Sequence, residues 1–197
     1  AFLFILHFQL PGRHKLLLVT YWLSPIVILA TYALGLNDLI PALFLTLSIL
    51  FIRQKNFYLT GVFLMVAISA KLSMVIALPF FILYLYNNKA LRQRISEFFI
   101  GFFATAVILI TPFLFSSGGI QMLFGNPEME KVYQLTLNVA GNLSIYFIPL
   151  IFFFILYTVW RVKRLNLDLF LAVTGLALLF IVFVTPASPG WLVWSIP

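Results

Sequence analysis

Lys71 stands inside a long apolar run, YLTGVFLMVAISAKLSMVIALPFFILYLY, with Ser69 and Ser73 two residues to either side. An ammonium in such surroundings is expensive, and residues of this kind ordinarily face a bundle interior or an aqueous cavity beside an anion. One reading is therefore a site for a phosphate or carboxylate. The plainer one is that the long stem lets the ammonium snorkel to a polar boundary. Asp38, next to Asn37 in GLNDLIP, is an acid set among turn residues. It suits a base, a metal ligand or a partner for Lys71, and equally an N-cap for the helix that follows. Glu128 and Glu130 could bind an acceptor or a metal, although acids in a polar stretch are ordinarily just solvated. Trp191, in TPASPGWLVW, is either an interface anchor or an indole face for a sugar or lipid.

Other chemistries lack their residues. The absence of cysteine excludes thiolate metal sites and the two lone histidines argue against a histidine site, while a divalent cation on carboxylates stays open. No Walker loop, dinucleotide fingerprint, HExxH or GxSxG occurs. The net charge of +7 could suggest nucleic acid. The basic residues, however, form short clusters rather than a continuous face, and no base-stacking motif accompanies them.

The elements that must position these residues follow from that clustering. Arg13/His14/Lys15, Arg53/Lys55, Lys89/Arg92/Arg94 and Arg161/Lys163/Arg164 are separated by apolar stretches, in a chain of 197 residues that is 63% hydrophobic and 9% charged. Its mean hydropathy of +1.12 is too high for an ordinary soluble domain. The expected fold is all-α, a single polytopic transmembrane helical bundle of about seven or eight helices. Two of these are truncated at the chain ends, so the sequence reads as a piece of a longer protein. Lys and Arg are retained in cytoplasmic loops, and placing all four clusters on that side makes every intervening stretch leave and return.

Residues 16–52 then turn at GLNDLIP, with Pro25 breaking the outgoing helix to leave a short helix over 26–34, and Asp38 capping the return. Residues 56–88 make two helices of roughly 15 residues, each rising only about 22 Å against a hydrocarbon core of about 30 Å, so SAKLS lies below the outer surface. The rival is one tilted helix running through Lys71 to Pro79, with the second and third clusters on opposite faces. A helix over 96–114 leads to an irregular outer loop with one short surface helix. Helices over 143–160 and 166–184 follow. The short outer loops lean toward a bacterial plasma membrane, with the endoplasmic reticulum as the alternative.

The run SPIVILATYALGLNDLIPALFLTLSILFIRQKNFYLTGVFLMVAISAKLSMVIALPFFI resembles the central segment of the GT-C glycosyltransferases. It is closest in pattern to PIG-M-like mannosyltransferases and bacterial polyprenol-linked enzymes. The matching residues are Ser24-Pro25, Gly35 with Asp38, Arg53 to Lys55, and Gly61 with Lys71 and Pro79. Trp191, Trp194 and Pro197 match the start of the family's final helix. Ser24 stands where the family has Asn in some members, and the final motif lacks Gln or His.

The resemblance implies transfer of a sugar from a polyprenyl-phosphate donor to a lipid, glycan or protein acceptor at the non-cytoplasmic face. It also implies a primary catalytic carboxylate in a first outer loop, upstream of Ala1. Within this chain it leaves a supporting set: Lys71 on donor phosphate, Asp38 polarising the site, Asn37 and Ser73 beside them, and Trp191 on donor lipid or sugar. Two other readings are a transporter or flippase of lipid-linked sugars and a noncatalytic subunit of a membrane complex. The expected partners are the polyprenyl-phosphate sugar and membrane lipids, and not nucleic acid.

Overall fold

The turn that joins the first long pair of helices is set by Lys55. Helix α2 (Leu39–Arg53) ends as Lys55 adopts a left-handed φ of 60°. Its N–H reaches the Ile52 carbonyl at 3.1 Å and the Asn56 N–H reaches that of Phe51 at 2.9 Å, the paired closure of a Schellman motif. Asn56 then caps α3 (Phe57–Ala70), its side-chain oxygen accepting from the Leu59 N–H at 3.2 Å. The two helices run antiparallel. Ser48, fully buried, donates to the Thr60 carbonyl at 2.8 Å, and the Phe51 and Phe63 rings stack at 5.1 Å.

This geometry comes from a computed structural model, which describes residues 24–34, 37–125, 127–139 and 143–185. The first helical segment is α1 (Pro25–Ile28), continued by a π-helical turn over Leu29–Ala33. A short helix after Pro25 is what the sequence predicts. The outgoing segment before Ser24, the first basic cluster, Gly35 and the two terminal stretches expected to be helices lie outside the described residues.

Beyond α3 the chain breaks at Lys71, passes through a 3-10 turn (Leu72–Ala77) and enters α4 (Leu78–Asn87), with Pro79 in its first turn. A short α5 (Lys89–Arg92) leads into α6 (Ile95–Leu114). Helix α6 packs parallel to α3, because Gly61 faces the backbone of Phe98 and Phe102 while Gly101 faces that of Tyr58. At the start of both, the Arg94 guanidinium donates to the Lys55 carbonyl at 3.1 Å and lies 4.8 Å from the centre of the Phe57 ring. Residues 56–94 therefore go out and come back. The single tilted helix through Lys71 is ruled out, and the second and third basic clusters share one pole.

The third and fourth clusters are joined by two asparagines. Asn87 donates to the Val159 and Val162 carbonyls at 3.3 and 2.9 Å, and Asn88 to that of Leu165 at 2.8 Å. Helix α7 (Ser117–Phe124) and a 3-10 turn (Pro127–Tyr133) follow α6. An antiparallel hairpin comes next, β1 (Thr136–Val139) with β2 (Leu143–Tyr146), in the register Leu137 opposite Ile145. Helix α8 (Phe147–Arg161) returns to the basic pole, and α9 (Leu167–Val184) leaves it again, its first turn capped by Asn166.

The hairpin corrects the expectation of an irregular loop and of a helix beginning at 143. Residues 136–139 alternate polar and apolar in a strand period, and Gly141-Asn142 supplies turn chemistry between the two runs. The all-α class otherwise describes the chain. The core sits where α3, α4, α6 and α9 meet: Phe81 stacks with Phe98 at 6.5 Å and meets Phe170 edge-on at 4.9 Å, all three fully buried. Helices α6 and α9 are long and apolar enough to cross a membrane, with hydropathies of 2.0 and 2.6. Both leave large apolar side chains uncovered, including Val107, Ile108 and Phe183.

Candidate functional site

The antiparallel α2–α3 pair places the start of one helix beside the end of the other, at the pole opposite the three described basic clusters. Asp38 occupies the N-cap position of α2, but with helical φ and ψ of −65° and −15° its side chain makes no capping bond. The capping role expected from the sequence is thus filled in position only. The carboxylate instead forms a hydrogen-bonded ion pair with the Lys71 ammonium. Of the readings open to Asp38, the structure shows the partnership with Lys71.

Lys71 reaches it because the backbone is extended there, at φ −155° and ψ 116°. Its N–H closes α3 on the Ala67 carbonyl, and its own carbonyl accepts from Met74 to open the 3-10 turn. A helical Lys71 would point along α3; the break aims it across to α2. The Asp38 side chain is 5% exposed and that of Lys71 26%, so the carboxylate is almost wholly removed from solvent while part of the Lys71 side chain reaches it. A carboxylate buried to that degree requires a nearby cation, since an uncompensated charge there would cost several kcal/mol.

Lys71 is among the residues that line a cavity of about 450 Å³ between the end of α3 and the end of α6. Met65, Ile68, Leu109, Ile110 and Phe113 make its apolar wall, and Ser69 and Lys71 bring the polar side chains. This volume lies in the range of small-molecule sites, roughly 300–1,000 Å³, which are typically apolar with a few placed polar groups. The α6 wall was not legible from the sequence. The signal that could have found it is the Gly61/Gly101 pair, which brings α3 and α6 close enough to enclose the space.

The remaining site residues are distributed unevenly. Asn37 is exposed one residue before Asp38, and its carbonyl accepts from the Ile40 N–H. Ser73 is half-buried in the 3-10 turn after Lys71 and is not among the residues that line the cavity. Glu130 is exposed in the Pro127–Tyr133 turn, away from the cavity lining, and Glu128 belongs to the same turn. Trp191 and the rest of the final motif lie outside the described residues, as does the Glu128 side chain. Among the described residues no group of three or more His, Cys, Asp or Glu side chains is placed to hold a metal ion.

Comparison of the chain with protein-family models, with curated proteins and with solved structures returned no match.

Proposed function

We propose that this chain is part of an integral-membrane glycosyltransferase of the GT-C type, which moves a sugar from a polyprenyl-phosphate donor to a lipid, glycan or protein acceptor. One observation carries the reading: the Asp38–Lys71 ion pair beside an apolar cavity, at the pole away from the basic clusters. Helix α3 has 14 residues and rises about 21 Å, less than a hydrocarbon core of about 30 Å. In a bilayer with the basic pole at its cytoplasmic surface, the pair lies below the opposite surface, where a donor's phosphate would meet its lipid tail.

The chemistry divides between the two residues. Glycosyl transfer breaks the bond between the anomeric carbon and the phosphate oxygen, and negative charge grows on the departing polyprenyl phosphate. A fixed ammonium at that oxygen stabilises the charge as it develops. Asp38 acts as a positioning residue, holding Lys71 in place, while the apolar wall takes the first part of the lipid. The acceptor's nucleophilic atom forms the new bond to the anomeric carbon, and its proton passes to a carboxylate base other than Asp38.

The test is transfer by the purified full-length protein, supplied with a panel of polyprenyl-phosphate sugars and membrane-lipid acceptors. Product that depends on Lys71, from at least one donor, is the expected result. No product from any donor, with the protein folded and reconstituted, overturns the reading.

A further inference from the structure

The two asparagine side chains that tie α4 to the α8–α9 loop create a compound basic surface that no single cluster supplies. Asn87 and Asn88 bond four carbonyls between residues 159 and 165, and so set Lys89 and Arg92 beside the segment bearing Arg161, Lys163 and Arg164. All five cations are exposed. Arg92 is held open rather than folded onto an acid: its guanidinium lies 4.2 Å from the centre of the Tyr86 ring and donates to the Tyr86 hydroxyl at 3.2 Å. Glu97 is occupied by two bonds from Arg94 at 2.7 and 2.8 Å, and Asp168, exposed in the first turn of α9, leaves the five cations in clear excess of acid.

What lies directly above this surface says what covers it. Trp160 and Tyr157, both about half exposed, stand on the last turns of α8 with ring centres 6.0 Å apart, immediately before Arg161. Phe153 and Phe154, at 62% and 57% exposure, continue the same helix away from the cations. Charge, then amphipathic aromatic, then hydrocarbon is the order of layers in a phospholipid leaflet. Nucleic acid would satisfy the charge and leave the aromatic and aliphatic layers uncovered.

We infer that the Lys89/Arg92 and Arg161/Lys163/Arg164 lobes, clamped by Asn87 and Asn88, form a binding surface for anionic phospholipid headgroups, with acyl chains lying along α8. This rests on the bilayer placement made above and is independent of the transferase chemistry. Each cation near an anionic surface contributes to the attraction, about fivefold in association per charge, and the effect weakens with salt.

The experiment is spin-label lipid selectivity with the full-length protein reconstituted in phosphatidylcholine. The motionally restricted fraction is compared for labelled phosphatidylglycerol and labelled phosphatidylcholine. The expected result is a preference for phosphatidylglycerol that falls with salt, drops to about one when the five cations are replaced by Gln, and is retained when the three arginines become Lys. Restriction of both lipids to the same degree by the wild type overturns the proposal while leaving the bilayer reading intact. So does a preference untouched by the five substitutions. Restriction of neither lipid removes the bilayer placement and this proposal together. Retardation of RNA in a gel by a wild type that shows no lipid preference would assign the surface to nucleic acid instead.

Discussion

The Asp38 carboxylate and the Lys71 ammonium, 33 residues apart in the chain, meet as an ion pair because α2 and α3 are antiparallel and the backbone is extended at Lys71. A one-turn displacement of either helix would separate them. The pair therefore reports on the register of α2 against α3 as well as on any chemistry at the cavity.

Removing one partner strands the other. Asp38→Asn and Lys71→Met are each expected to destabilise the full-length protein by about 3 kcal/mol, the low end for a buried pair because the Lys71 side chain is partly exposed. The double variant should recover part of the loss. Denaturation of the reconstituted protein measures all three, and strictly additive losses would mean that the two residues do not interact.

Gly61 and Gly101 allow α3 and α6 to touch through their backbones. A Cβ on Gly61 would overlap the Phe98 carbonyl oxygen, and one on Gly101 the Tyr58 carbonyl oxygen. Alanine at either position should force the helices apart, cost about 1–3 kcal/mol and open the cavity wall. Gly175, in α9, has nothing near its missing Cβ, so Gly175→Ala should be neutral or slightly stabilising. Thermal unfolding of the three variants checks the contrast, and equal effects at all three would refute the close approach.

The absence of cysteine from the sequence makes sidedness directly measurable. Single cysteines at Asn37 and Glu130, both exposed, should react with a membrane-impermeant thiol reagent from one side of a sealed vesicle. Cysteines at Lys55 and Lys163 should react only from the other. Labelling of all four from the same side would overturn the two-pole arrangement in a bilayer.

Much of this arrangement was legible because charge and hydrophobic length act over whole segments. The reversal of residues 56–94 followed from requiring Arg53/Lys55 and Lys89/Arg92/Arg94 to share a side, and the Arg94 bond to the Lys55 carbonyl bears it out. The α9 limits, 167–184 against an expected 166–184, followed from a long apolar run with Asn166 before it. The hairpin at 136–146 was hidden because two four-residue strands carry little periodicity, and the second runs directly into α8. At the site, Lys71 and Asp38 stood out as charges in apolar or turn surroundings. Their pairing was one of several options for Asp38, since backbone conformation at residues 38 and 71 decides it. Leu109, Ile110 and Phe113 carried no signal, as an apolar residue facing a cavity reads like one facing lipid.

Binding of a polyprenyl phosphate to the purified full-length protein addresses the role of Lys71 most directly, because it needs neither the sugar nor the acceptor to be known. Saturable binding is expected for the wild type, with Kd raised about tenfold or more in Lys71→Ala and largely restored in Lys71→Arg, as the loss of one charge-assisted contact requires. An unchanged Kd in a folded Lys71→Ala protein would contradict a phosphate-holding role and return Lys71 to a structural partner of Asp38.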